Sequence, residues 1–127
     1  PQHKPMPYIV GNETTSKLSM ENGLVQSATV TTTSTGAAAL VSLTASTYRS
    51  VDYQVQAVKG SSYNTSLIKV VHDGTNTYMT EFGNVNQPSV GIATFSTDIN
   101  SGDLRLLGFP SSSDSTVFKI IFSAIKS

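Results

Sequence analysis

The chain has 127 residues, of which eight are basic and eight acidic, and it contains no cysteine. A length of this order corresponds to one domain that can bury a hydrophobic core. The balanced and scattered charges argue against a nucleic-acid or membrane-surface partner, the lack of cysteine excludes disulfides and thiolate chemistry, and no apolar run is long enough to span a bilayer.

Hydroxyl side chains dominate the composition, with 19 serines and 16 threonines, while only 13% of the residues are charged. Thr, Val, Ile and Tyr favour strands, and the helix formers are sparse or badly spaced. No glycine-rich phosphate loop is present, so we expect no nucleotide cofactor. The composition predicts an all-β protein with uncharged, hydroxyl-rich outer faces.

Residues 1–23 differ from the rest, because they carry three of the five prolines and show little periodicity. We expect an extended N-terminal arm over 1–23, with room for a short helical turn in "TTSKLSMENG", followed by a β-sandwich domain over 24–127. The arm would be ordered only against a neighbour. Its apolar side chains are the predicted protein-interface residues, namely Tyr8, Ile9, Val10, Leu18 and Met20.

Strand signals recur from Leu24 onward. In "STYRSVDYQVQAVKGS" the apolar Val51, Tyr53 and Val55 alternate with polar residues, as in a strand with one buried and one wet face. "STGAAALVSLT" offers Leu40 and Leu43 as core, "PSVGIATFSTDI" reads as a further strand, and "TVFKIIFSAI" is apolar enough to be central. About eight strands at this turn spacing predict a single antiparallel, jelly-roll-like β-sandwich.

Two β-rich runs flank Asp73-Gly74, and a D-G dipeptide in that position predicts a hairpin. We expect both faces of its first strand to be at least partly covered. In the second strand, Tyr78 and Phe82 share a face that we expect to point inward, with Met79 and Glu81 on the other.

The pair His72-Asp73 also raises a catalytic hypothesis, since an acid that orients an imidazole is part of hydrolytic machinery. Adjacent residues of a strand point to opposite sides, however. The simpler prediction is that His72 ends a strand and Asp73 begins the turn, and we expect no catalytic residues and no enzyme.

Other candidate chemistry is weak. Asp98, Asn100 and Asp103 resemble a fragment of a calcium loop but lack its distal glutamate, so a turn explains them more simply and they remain weak metal candidates. Nothing in the sequence brings two carboxylates together for acid–base work. Tyrosines suggest sugar stacking, but Tyr53 is predicted to be core.

Four stretches carry a family resemblance: "STYRSVDYQVQAV", "IKVVHDGTNTYMTEFG", "ATFSTDINSGDLRLLGFP" and "TVFKIIFSAI". Together they resemble a β-rich module of tailed-bacteriophage virion structural proteins, especially of marine and cyanobacterial phages. The resemblance covers about residues 31–125, and its most specific part is 71–83. It implies a non-enzymatic role in the virion, either inside fibre-like or tail proteins or as a short protein.

The expectation is therefore a structural component of a tailed-phage virion. A short chain with an arm favours a capsid decoration or cement protein, which binds through its arm and its sheet edges to the major capsid protein or to tail or neck proteins, and forms a homo-oligomer. The alternatives are a tail, neck or fibre component, or a receptor- or carbohydrate-binding module that uses the loops "GSSYN" and "GFPSSSDS".

Overall fold

The computed structural model describes residues 16–127, which form nine β-strands. A search of this part of the chain finds no helix that could cross a membrane. The strands are β1 (Lys17–Met20), β2 (Gly23–Thr32), β3 (Ala38–Thr44), β4 (Tyr48–Lys59), β5 (Ser62–His72), β6 (Thr77–Gln87), β7 (Ala93–Asn100), β8 (Asp103–Pro110) and β9 (Thr116–Lys126).

The strands form two antiparallel sheets. The larger has six strands in the order β1-β2-β9-β4-β5-β6, and the smaller has three in the order β3-β8-β7. At the two sides of the molecule β3 contacts β2 and β7 contacts β6. The prediction of an antiparallel β-sandwich is confirmed, with nine strands divided six and three. The C-terminal strand β9 lies between β2 and β4, as its apolar sequence predicted.

The hydrophobic core fills the space between the sheets. The inward residues of β4, including Tyr53, lie against those of β9 and face Leu104 and Leu106 of the small sheet. The Tyr53 and Phe122 rings are tilted, with centroids 5.7 Å apart, and burial raises the pKa of the Tyr53 hydroxyl. Tyr53, Leu40 and Leu43 are buried as predicted.

Two local expectations are corrected by the backbone. Residues 17–20 form an edge strand paired with β2 rather than a helical turn, because their amides and carbonyls find partners on β2. The strand expected in "PSVGIATFSTDI" begins only at Ala93, so Val90 lies in the connection between the sheets and is 74% exposed. The part of the predicted arm before residue 16 lies outside the described residues.

Candidate interaction surface

The six-stranded sheet has one face against the small sheet and one face that nothing in residues 16–127 covers. We call the second one the open face. Successive side chains of a strand point to opposite sides, so alternate residues of each strand project from it. In β4 these are the polar positions predicted to be wet, among them Asp52, Gln54 and Gln56, which are all exposed.

Large apolar side chains are concentrated on the open face. Of the thirteen that are exposed in the described part of the chain, all but Met79 and Val90 project from it. They are Leu18, Met20, Val25, Tyr63, Leu67, Val71, Tyr78, Phe82, Val85, Ile121 and Ile125. Single exposed apolar residues are normal on a soluble protein, but a contiguous patch marks an interaction site.

The strand register aligns these side chains in rows across β9, β4, β5 and β6. Each row has one residue from each strand, and a polar row lies between two rows with large apolar ends. The rows are Ile125–Ser50–Val71–Tyr78, Ser123–Asp52–Lys69–Thr80 and Ile121–Gln54–Leu67–Phe82. Side chains in one row are neighbours on the sheet surface, so the rows define where apolar and polar side chains lie on the open face.

An ion pair occupies the middle of the polar row. The Nζ atom of Lys69 donates to both carboxylate oxygens of Asp52, at 2.8 and 3.1 Å. The two side chains are 63% and 58% exposed, so water screens the pair and it contributes little to folding. Its effect is to place one cation and one anion, at a fixed position, between the two rows that end in large apolar side chains.

Two shallow depressions flank this ion pair. One, of about 380 Å³, is lined by apolar atoms of Val71, Tyr78 and Ile125. The other, of about 300 Å³, is lined by Leu67, Phe82 and Ile121 among others. Both are shallow grooves on the sheet surface and suit the side chains of an apposed surface.

The expected orientation of Tyr78 and Phe82 is wrong. They do share a face, but it is the open face, where they are 55% and 48% exposed. Met79 and Glu81 pair with Val70 and Ile68 and point to the inner side. An even spacing establishes that two residues share a face, whereas which face is covered depends on where the second sheet lies.

The open face as a whole was missed in the sequence. The runs "LIKVVH" and "FKIIFSAI" are apolar on both sides, and for "LIKVVH" this pattern predicts that both faces are at least partly covered. In the structure Leu67, Val71, Ile121 and Ile125 are all exposed. A strand that is apolar on both faces is typical of burial by the same chain or by another protein, and that signal could have indicated the surface.

The hairpin predicted at Asp73-Gly74 is confirmed. Its turn spans 73–76, is closed by a bond from the Asp73 amide to the Asn76 carbonyl, and holds Gly74 at φ 98°. The Asp73 carboxylate accepts from the amides of Thr75 and Asn76 at 3.0 and 2.8 Å, and from the Tyr78 hydroxyl at 2.9 Å. These bonds lower the pKa of Asp73 to about 2, and the bond to Asp73 raises the pKa of Tyr78.

His72 is part of the same hairpin but has different partners. Its ring is buried, Nδ1 accepts from the Gly74 amide at 2.9 Å, and Nε2 is 2.7 Å from the Tyr48 carbonyl. This pattern requires a neutral ring with the proton on Nε2. The Asp73 carboxylate is committed to the turn, so the two side chains do not form the dyad that their sequence suggested. His72 ends β5 as predicted, and it is a buried structural residue.

The weak metal candidates lie at the turn between β7 and β8. Both carboxylate oxygens of Asp98 accept from the Arg105 guanidinium, at 2.9 and 2.7 Å. These hydrogen bonds lower the pKa of Asp98. Asn100 pairs with Asp103 across the turn. Within residues 16–127 no group of three His, Asp or Glu side chains could hold a metal ion.

Two of the five predicted interface residues lie on the open face. Leu18 and Met20 project from the edge strand β1 and are 51% and 49% exposed. Tyr8, Ile9 and Val10 lie outside the described residues. The loops of the carbohydrate alternative meet at one end of the sandwich, where the Lys59 ammonium is 3.5 Å from the Ser112 hydroxyl.

No protein-family model matches the sequence, and no curated protein sequence matches it significantly. Among solved structures, the chain is similar to the tailspike protein of Acinetobacter phage vB_ApiP_P1, with a TM-score of 0.58 and 13% identity. That match covers 99% of this chain and 25% of the tailspike, so the chain spans about a quarter of its length. A match to the tailspike of Acinetobacter baumannii phage AM24 has a TM-score of 0.43 and 10% identity, over 81% of this chain and 26% of that one.

The first of these matches establishes a likeness of fold. It supports, at that level, the resemblance to a β-rich module of phage virion proteins. It carries no information about marine or cyanobacterial phages.

Proposed function

We propose that the chain is a structural module of a phage tail, of the tail-fibre or tailspike kind, and that another protein surface covers its open face in the assembled particle. The observation that carries this proposal is the concentration of large apolar side chains on one face of the six-stranded sheet. Exposed apolar side chains gathered on one face of a soluble domain mark interaction sites or aggregation liabilities.

The fold favours the tail over the head. The likeness that extends over nearly the whole chain is to part of a tailspike protein, and it supports the tail alternative better than the capsid decoration protein expected from the sequence. In either location the same surface serves attachment, since a sheet face buries more apolar area than a sheet edge does.

The edge strand β1 connects the open face with the N-terminal residues of the chain. Leu18 and Met20 lie on β1 at the side of the sheet, and the chain enters β1 from residues 1–15. We infer that residues 1–15 extend this contact on the partner protein. Deletion should stop at residue 15, because a deletion to 22 would also remove β1 from the sheet.

The absence of cysteine permits a direct test of the covered face. The full chain is made as Ile121→Cys, on the open face, and as the control Val90→Cys, in the connection between the sheets; the natural residues are 57% and 74% exposed. Each is incorporated into particles and treated with a maleimide. We expect the Ile121→Cys thiol to react in the isolated chain at low concentration and to be protected in the particle, while the Val90→Cys thiol reacts in both.

Equal reactivity of the two thiols in the particle would contradict the proposal. Location is tested separately by labelling the Val90→Cys chain with gold and imaging intact particles. Labels on the tail support the tail assignment, and labels spread over the head would instead support a capsid decoration protein.

Glycan binding is the alternative of a different kind. Tyr63 is 50% exposed beside the loop pair joined by Lys59 and Ser112, and it offers an aromatic surface at that end. Eight of the eleven exposed apolar side chains of the open face are aliphatic, which suits protein better than sugar. Binding of the isolated chain on a glycan array, lost in Tyr63→Ala, would favour this alternative.

A further inference from the structure

The ion pair at the centre of the open face constrains what can cover it. Asp52 and Lys69 are adjacent in one row and of opposite sign, so this part of the surface has no net charge. Each charge already has the other as its partner, and a covering surface is most complementary when it presents a cation opposite Asp52 and an anion opposite Lys69. The same two groups in reversed order present that arrangement.

We propose that the partner is a second copy of this chain, apposed face to face about a two-fold axis that runs along the strands between β4 and β5. This inference rests on the proposed function and specifies the occupant of the same surface. The axis exchanges β4 with β5, which places Asp52 of each copy opposite Lys69 of the other. Two ion pairs then form a closed square of alternating charges.

The same operation matches the apolar rows. It exchanges β9 with β6, so Ile125 lies opposite Tyr78 of the second copy, and Ile121 lies opposite Phe82. In the polar row, Ser123 meets Thr80. Two-fold interfaces are self-complementary in this sense, since one patch serves both subunits.

A further cation on the open face, Lys119, is also accommodated. Lys119 shares a row with Gln56, Thr65 and Val85. The rotation places Lys119 opposite Val85 of the second copy, so the two Lys119 side chains lie several strands apart. The arrangement therefore keeps these two like charges apart.

The area is sufficient for a stable contact. Four strands about 4.8 Å apart, with about ten paired residues each at about 3.4 Å, give a surface of about 650 Å² for each copy. The total of about 1,300 Å² lies within the range of specific interfaces. Leu18, Met20 and Val25 remain beyond this area, on the edge strand β1 and its neighbour β2.

The first test is the association state of the full chain by sedimentation equilibrium. We expect a dimer, a rise in Kd of about tenfold or more in Ile121→Lys, and no change in Val90→Lys. Circular dichroism of the monomeric Ile121→Lys chain checks that it is folded. A native chain that is monomeric at all soluble concentrations, or an Ile121→Lys chain that dimerises like the native one, would overturn the inference.

The second test addresses the register through charge reversal. In Asp52→Lys each copy contributes two cations to the square, and in Lys69→Asp each copy contributes two anions. Each variant alone should therefore dimerise at least about tenfold more weakly. Mixing the two variants should restore association as mixed dimers, and the double variant D52K/K69D should dimerise like the native chain. If mixing restores nothing, the two-fold register is wrong.

The outcomes also separate this inference from the proposed function. A chain that stays monomeric in solution, with the Ile121→Cys thiol still protected in the particle, means that a different virion protein covers the open face. If the chain dimerises as described but the Ile121→Cys thiol reacts freely in the particle, the dimer in solution stands. The proposal that the open face is covered in the particle is then wrong.

Discussion

The ammonium group of Lys69 lies 2.8 Å from the carboxylate of Asp52 at the centre of the open face, with rows that end in large apolar side chains on either side. Both side chains are more than half exposed, so the pair contributes little to the stability of one copy. We expect Asp52→Asn to change the free energy of unfolding by less than about 1 kcal/mol. Urea denaturation of the dilute chain measures this. A larger loss would show that the pair supports the fold, and the charge-reversal variants could then no longer be interpreted through association alone.

Two phenylalanines lie on opposite sides of the large sheet, one in the core and one on the open face. Phe118 is fully buried against the small sheet, and its edge meets the ring of Phe95 with centroids 6.0 Å apart; Phe82 is 48% exposed on the open face. We expect Phe118→Ala to cost about 3–5 kcal/mol because it leaves a cavity. Phe82→Ala should cost about 0.5 kcal/mol or less in the dilute chain. Chemical denaturation of both variants gives the comparison, and equal losses would contradict the assignment of the open face.

His72 stabilises the hairpin through bonds to two backbone groups. His72→Phe fills the site but leaves the Gly74 amide and the Tyr48 carbonyl without that partner. Because each of the two lost hydrogen bonds contributes about 0.5–1.5 kcal/mol net, the variant should lose about 1–3 kcal/mol of stability. Thr80→Val, on the exposed face of the next strand, is the matched control and should be nearly neutral. Hydrogen exchange at Gly74 should accelerate in His72→Phe alone.

Asp73 gives the turn a defined dependence on pH. Its pKa in the folded chain is about 2, below the ordinary value near 4 for an aspartate. Its contribution to stability is therefore complete above about pH 4 and is lost as the pH falls through about 2. We expect the melting temperatures of the native chain and of Asp73→Ala to differ most above pH 4 and to converge toward pH 2. A carboxyl titration by NMR that gives an unshifted Asp73 would contradict this.

Local chemistry made part of the fold predictable. The Asp73-Gly74 hairpin follows from turn residues that act over four positions, and the buried face of β4 follows from strict alternation over Val51, Tyr53 and Val55. The central position of β9 follows from its apolar content. The two-sheet β-sandwich was therefore predictable, because each of these signals depends on residues close together in the chain.

The candidate surface was less predictable. Leu18 and Met20 were expected to meet a partner and do lie on the open face, but Ile121, Ile125, Leu67 and Val71 were not recognised. Their strands are apolar on both sides, and such a pattern is equally typical of a doubly covered strand. Only a count of the covering strands distinguishes these cases, and that count is a property of the assembled sheets.

The sequence by itself determined the strands from β2 onward, their principal turn and the neutral, hydroxyl-rich character of the domain, since these depend on composition and on neighbours along the chain. The tertiary structure alone decided that Tyr78 and Phe82 face outward and that His72 is buried beneath the Tyr48 carbonyl. It also brought Asp52 and Lys69 together at the centre of the open face. The physical reason is that a three-stranded sheet can cover only one side of a six-stranded one, and in strands that are apolar on both sides no period in the sequence specifies which side that is.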